Sequence, residues 1–326
     1  MFGIAGITIA LTLTGGSPDT LPRPRAEVLA PGVWLIRGGF LPNRQPDGNT
    51  IVFRGPRGLT VMDTGRHRWQ RQAILDFADS LHQPIVAIIN SHWHLDHVSG
   101  NPDLKRAYPA AKVYASDAID GALKGFLPRS AADGRKYLDA GQLPPETLED
   151  LRNDLATIDS GASLRPDVVV NKSDTLNLGG LELQVNLAPD AATDGDLWVF
   201  DPVSKVIAMG DLVTLPAPFL DTGCPTGWKA GLAAILATPF QIAIPGHGAP
   251  MTRAQVTTYR DAFTAFIDCS ASTRPATECG SQWAKGIASL VGGDERTLKR
   301  AEGMAAYYAG DVLRANGGKS ASCRKA

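Results

Sequence analysis

The sequence predicts an α/β fold, a four-layer α/β/β/α sandwich in which two sheets pack together with helices outside. Two observations carry this prediction. Strand-like segments gather in two runs, each finished by helical patterns, and the residues suited to chemistry follow apolar strands. No fixed-period repeat is visible, and 326 residues suffice for one large domain or two ordinary ones.

Residues 1–25 read as a signal-like leader and tether. Positions 2–14 are apolar and uncharged, too short to span a bilayer but matching a signal-peptide core in length. No Lys or Arg precedes them, and a buried first strand is the competing reading. Positions 15–25 are rich in Pro and Gly, as a tether would be. The leader points to a periplasmic or secreted protein without stable membrane insertion.

Strand patterns then recur at 27–30, 33–37, 50–54 and 59–63, separated by Pro31-Gly32, Gly55-Pro56 and Arg57-Gly58, as in antiparallel hairpins. Residues 68–81 have helical spacing, with Trp69, Ile74, Phe77 and Leu81 on one face. The apolar run 84–89 is too short for a helix and reads as a buried strand. Residues 104–107, 113–115 and 118–123 suggest helix, strand and helix. The more polar stretch 130–160 reads as helical, broken at Pro144-Pro145. Strands resume at 168–170, 181–187, 197–200, 205–209 and 241–244. Val256, Tyr259, Phe263 and Phe266 then trace one helix face, and Leu298, Met304 and Tyr308 fit another. Residues 26–250 are expected to form the main domain, with 251–326 a helical extension packed on it.

The run Ser91-His92-Trp93-His94-Leu95-Asp96-His97 holds half of the chain's six histidines, directly after the buried strand. On extended backbone His92 and His94 point to one side. Asp96 and His97, where the chain turns toward Gly100, can be aimed at a second point, an arrangement suited to two adjacent cations. A lone histidine is usually surface or satisfied core; three with an aspartate in H-x-H-x-D-H register are hard to obtain from packing alone. Imidazole and carboxylate donors without a nearby thiolate suit zinc, with iron or manganese as lesser options.

Three further segments end apolar strands with polar groups. Asp63, before Thr64-Gly65, reads as orienting backbone or a ligand histidine. Asp211, after Gly210, is a candidate ligand. His247 lies between Gly246 and Gly248, and glycine lets the backbone approach a site closely.

Taken together, these residues resemble the metallo-β-lactamase fold superfamily of metallohydrolases over residues 26–250. The resemblance rests on Asp63-Thr64-Gly65, the His92/His94/Asp96/His97 run, Thr193-Asp194-Gly195-Asp196, Gly210-Asp211 and Gly246-His247-Gly248, in that order. The wording SHWHLDHVSGN, DTGCPTGW and PGHG is most similar to the exported branch labelled quinoprotein relay system zinc metallohydrolases. The resemblance implies that His92 and His94 bind a first metal and Asp96, His97 and His247 a second, with Asp211 bridging. Asp96 and Asp211 would also orient the nucleophile, a metal-activated water, and Asp63 would hold a ligand in place. Relatives supply a third first-site histidine where this chain has Ala192. Asp190, two residues earlier, is the one candidate substitute. The expectation is one or two Zn²⁺ ions with a weak first site.

Composition narrows the function. Hydrophobic residues make up 44% and charged residues 20%, with a formal net charge of −1. Without a basic stripe interleaved with aromatics, a nucleic-acid partner is not expected. Of Cys224, Cys269, Cys279 and Cys323, the second and third bracket a polar loop and suit a local disulfide, leaving the others to pair or stay free. No C-x-x-C occurs, which argues against a cysteine zinc site. Two functions compete: a zinc hydrolase of a small ester, thioester, lactone or β-lactam, and a metal-binding but catalytically impaired protein of the same fold with a binding role. The apolar, Pro-rich loops 40–48 and 212–228 read either as substrate walls or as ordinary loop packing. Only Arg66 and Arg68 suggest cationic groups for an anionic substrate. The substrate and the oligomeric state are not encoded legibly.

Overall fold

The chain enters an antiparallel meander, β1 (Ala26–Ala30), β2 (Val33–Ile36), β3 (Thr50–Gly55) and β4 (Gly58–Met62), in a computed structural model that describes residues 24–323. The signal-like leader and all but the end of the tether lie outside the described residues. After α1 (Arg68–Ser80), β5 (Ile85–Ile89) pairs parallel to β4. Then come α2 (Leu95–Val98), α3 (Asn101–Ala107), β6 (Lys112–Ala115), α4 (Ala118–Lys124), α5 (Phe126–Ala140), α6 (Pro145–Asp159) and β7 (Val168–Val169). Strands β1 to β7 form one sheet in sequence order.

The second sheet is built from β8 (Asp174–Leu178), β9 (Leu181–Pro189), β10 (Gly195–Asp201) and β11 (Val206–Ala208), joined after α7 (Pro225–Ala237) by β12 (Ile242–Ile244). Its order is β12-β11-β10-β9-β8. Helices α8 (Arg253–Ser270), α9 (Ala276–Ile287) and α10 (Glu295–Tyr307) complete the fold.

Three buried clusters explain the layering. Leu35, Phe53, Met62 and Ile89 of the first sheet meet Leu183, Val185, Leu197 and Val199 of the second, sealing the sheets face to face. Alternate residues Val52, Val61 and Ile88 face the other way and take Ile74 of α1 and Leu104 of α3. On the outer side of the second sheet, Phe200 and Ile207 join Trp228, Val256, Phe263 and Trp283 from α7, α8 and α9. The result is the four-layer α/β/β/α arrangement. At about 25 cal/mol per Å² of apolar surface, a fully buried leucine or phenylalanine contributes on the order of 1.5–3 kcal/mol, so these clusters dominate stability.

Three local expectations differ from the structure. Strand β8 escaped the sequence reading because its Asp-Thr-Leu-Asn-Leu is largely exposed on a sheet edge and carries one buried side chain. Helix α1 buries Gln70, Ala73, Ile74 and Ala78, with Phe77 and Leu81 alongside; Trp69 lies off this face and stacks on His67 at 4.0 Å. Gln70 is buried because its amide donates to the Ile36 carbonyl at 3.1 Å, a hydrogen bond that apolar spacing does not register. Segment 212–228 is loop only as far as Cys224, since Pro225, with its preset φ, opens α7.

Candidate metal centre

Strand polarity brings the chemistry together. Parallel pairing of β4 with β5 and of β11 with β12 puts their C-terminal ends along one edge of the sandwich. The segments after those four strands carry Asp63, the histidine run, Asp211 and His247. Two glycines let the backbones close in: a Cβ on Gly246 would lie 1.9 Å from Asp211 Oδ1, and one on Gly48 would lie 2.5 Å from His97 Cε1. Asn49 stitches the edge, its amide donating to the carbonyls of Pro245 and Gly248, both at 2.9 Å.

Two groups of potential ligands result, His92–His94–Asp211 and Asp96–His97–His247, with the ligand atoms of each within 4.8 Å of one another. Asp211 faces both. Its Oδ2 lies 3.8 Å from His92 Nε2, while its Oδ1 lies 3.4 Å from His97 Nε2 and 3.6 Å from His247 Nε2. His247 Nε2 is 3.0 Å from Asp96 Oδ2. His92, Asp96, His97, Asp211 and His247 are buried, and His94 lines a cavity wall.

Hydrogen bonds fix the ring tautomers. The Ser91 hydroxyl donates to Asp63 Oδ2 at 2.6 Å and therefore accepts from His92 Nδ1 at 2.9 Å, leaving the Nε2 lone pair pointing inward. The Thr222 hydroxyl donates to the Ala192 carbonyl at 2.9 Å and accepts from His94 Nε2 at 3.0 Å, freeing the His94 Nδ1 lone pair. His97 Nδ1 donates to Asp63 Oδ2 at 2.8 Å and so aims Nε2 at the centre.

This donor set fits a metal. His92 Nε2 and His94 Nδ1 lie 2.9 Å apart as two lone pairs with no proton to share. Buried His97 Nε2 and Asp211 Oδ1 also lack hydrogen-bond partners. Buried polar atoms left in this way are costly unless something completes them, and a cation between them does so. Imidazole with carboxylate oxygen is a zinc donor set.

Electrostatics agree with this. Burial, with the like charges of His97 and His94, holds His92 well below the usual imidazole range, and burial draws His94 down to about 4. Both are neutral ligands at pH 7. Burial opposes ionisation of Asp96, yet His97, His247 and Arg66 hold its carboxyl well below the usual range. Burial also works against protonated His97 and His247, but Asp96 and Asp211 raise both. A metal entering this second cluster therefore displaces protons.

The two remaining site expectations, Asp190 and Arg66, fare differently. Asp190 is grouped with neither cluster; it precedes a tight turn (Ala191 N to Thr193 O, 2.8 Å), and its backbone carbonyl packs against Gly227 of α7. Arg66 is not free for a substrate: it pairs with Asp154 of α6 and lies 3.6 Å from Asp96 Oδ1. The sequence reading gave no role to Thr222, though it lies in a quoted segment. It also missed the network under α1, where His67 Nδ1 meets Asp47 Oδ2 at 2.8 Å and Arg44 meets Asp150 at 2.7 Å. No spacing signal marks partners 20 and 106 residues apart. The cysteine pairs Cys269–Cys279 and Cys224–Cys323 both lie at disulfide distance, each with Cα atoms 5.5 Å apart.

Two sheets with helices outside, and metal-binding groups at their shared edge, define a metallohydrolase-like class. The chain belongs to the metallo-beta-lactamase superfamily, whose family model matches residues 44–274. A metallo-beta-lactamase from Pontibacter korlensis has the same fold, with a TM-score of 0.54 at 16% identity over 74% of this chain and 99% of that one. A linear primary-alkylsulfatase from Pseudomonas sp. is 25% identical over 221 residues, 62% of this chain and 41% of the relative. A hydroxyacylglutathione hydrolase from Synechococcus sp. is 44% identical over 54 residues, 17% of this chain and 21% of the relative. The chain thus spans less than half the length of these curated relatives. Helices α9 and α10 lie beyond the matched family region.

Proposed function

We propose that this protein is an exported, zinc-dependent hydrolase of a small ester, thioester, lactone or β-lactam. The observation that carries the reading is the pair of buried ligand clusters sharing Asp211, with inward-facing donor atoms left unpartnered. Hydrolase names among the similar proteins support it, and the two cysteine pairs suit an oxidising compartment. Kinship with the quinoprotein relay branch rests on the motif wording alone.

His92 and His94 would hold one ion, Asp96, His97 and His247 a second, and Asp211 would serve both. When bound, a divalent metal supplies Lewis acidity toward a carbonyl or phosphoryl oxygen and makes water acidic enough to attack at neutral pH. The chain's own part is orientation. Asp63 fixes His97 and, through Ser91, His92; Thr222 fixes His94; Arg66 holds Asp96 ionised and in place. Phe40 stands 5.4 Å from the His247 ring.

A second reading, a metal-binding protein with impaired turnover, is favoured by one observation: the first cluster gains no third protein nitrogen, since Ala192 stands at the family's histidine position. Zinc content measured together with an ester, thioester, lactone and β-lactam panel, on the chain and on Asp211→Ala, separates the two. Chelator-sensitive turnover lost in Asp211→Ala supports the hydrolase. Zinc binding with no turnover across the panel moves the protein to the second reading.

A further inference from the structure

The metal centre opens into a cavity of about 420 Å³, within the range of sites that enclose a small organic molecule. His94, Asp96, Asp211 and His247 form one part of its lining. Most of the rest is apolar and comes from three helices: Phe126 and Leu127 of α5, Leu151 and Leu155 of α6, Met304 and Tyr307 of α10. A site for a compact polar substrate has no use for so much apolar wall. Hydrophobic burial is available there to an extended apolar group such as a chain of methylenes.

Charge adds a direction. Among the cationic side chains lining this cavity, Arg66 is consumed by Asp154 and Asp96. Arg300 of α10 is different. It is exposed, has no carboxylate partner among the described residues, and stands 5.5 Å over the Phe40 ring, which in turn packs on His247. The carboxylates of Asp154 and Asp221 in the same lining disfavour an anion elsewhere. Away from the metal-binding groups, an anionic group therefore has one favourable place, beside Arg300 and Phe40.

We propose that this cavity binds an amphiphilic anion, its apolar chain lying between α5, α6 and α10 and its charge meeting Arg300. The proposal deepens the hydrolase reading and rests on it for the statement that such a molecule is substrate; binding itself does not depend on turnover. It also gives α10, which lies outside the matched family region, a role in selecting the substrate.

Calorimetric titration of the full chain, as purified and after chelation, with straight-chain sulfonates of increasing length tests it. The matching alcohols and trimethylammonium compounds serve as comparisons. Affinity is expected to rise about threefold to fourfold per methylene until the cavity is filled, and the sulfonate to bind more tightly than the alcohol of equal length. Arg300→Ala should remove that preference, up to about fivefold, and leave alcohol binding unchanged. Ile158→Trp, at a partly exposed position of the lining, should shorten the chain at which affinity stops rising. Length-independent binding, preference for the ammonium series, or an unchanged sulfonate-to-alcohol ratio in Arg300→Ala would each overturn the proposal. Turnover of short esters without amphiphile binding would sink this inference and leave the hydrolase reading standing. Length-dependent anion binding without turnover would do the reverse.

Discussion

Restoring a histidine at position 192 is the most direct perturbation of this centre. Ala192 is 1% exposed, and its carbonyl takes the Thr222 hydroxyl that also receives His94 Nε2. An imidazole here enters a packed, buried apolar cluster, so Ala192→His should destabilise the metal-free chain by about 1–3 kcal/mol. With zinc the sign reverses. Second-shell ligand partners alone change metal affinity about 10–100-fold, and a direct nitrogen should do at least as much, about 1.4–2.7 kcal/mol. At a zinc concentration about a hundred times the dissociation constant, linkage returns about 2.7 kcal/mol. The variant should therefore melt lower than the parent without metal and recover with it. Elemental analysis should find nearer one zinc in the parent and nearer two in the variant, with competition against a chromophoric chelator giving the affinities. Hydrolysis should rise with the second ion. Two tightly held zincs and full activity in the unmodified chain, insensitive to Ala192→His and to Asp190→Ala, would refute the reasoning.

Other expectations follow from single contacts. Thr222→Val keeps the shape but removes the acceptor for His94 Nε2, so first-site affinity should fall about 10–100-fold in chelator competition, with circular dichroism unchanged. His67 is buried, which lowers its pKa, but Asp150 and Asp47 raise it above the ordinary value. Its contribution is then fully present below the usual imidazole pKa of about 6.5 and is lost as pH rises through the folded value. Denaturant titrations of His67→Gln should accordingly show a deficit of about 3–5 kcal/mol near pH 6 that narrows in alkali; a pH-independent deficit would contradict the charge assignment. The pair Cys224–Cys323 spans 99 residues and Cys269–Cys279 spans 10. Loop entropy then predicts that Cys323→Ser costs about 4.7 kcal/mol and Cys279→Ser about 2.7 kcal/mol. An equal loss of denaturant midpoint would speak against that ordering.

The sequence by itself determined the local directions of the chain. The short apolar runs of β3, β4, β5 and β10 and the helical face of α8 are properties of neighbouring residues, and neighbours set whether a segment lies extended or coiled. The same locality made the H-x-H-x-D-H run legible, because four candidate ligands lie within six positions on one strand end. What a side chain meets across the molecule is not local. Gln70 is buried because Ile36 offers a carbonyl, and Arg66 is silenced by Asp154, 88 residues away. Thr222 holds His94 across 128 residues, and the cavity is walled by segments from the 40s, the 120s to 150s, the 210s and the 300s. Those meetings depend on which strands pair in parallel and therefore on which edge their C-terminal ends emerge. The tertiary structure alone decided that Asp211 stands between both histidine clusters, that Asp190 joins neither, and that Arg300 comes to rest over Phe40. Periodicity records how a chain is directed, and only the closed sandwich fixes where its ends converge.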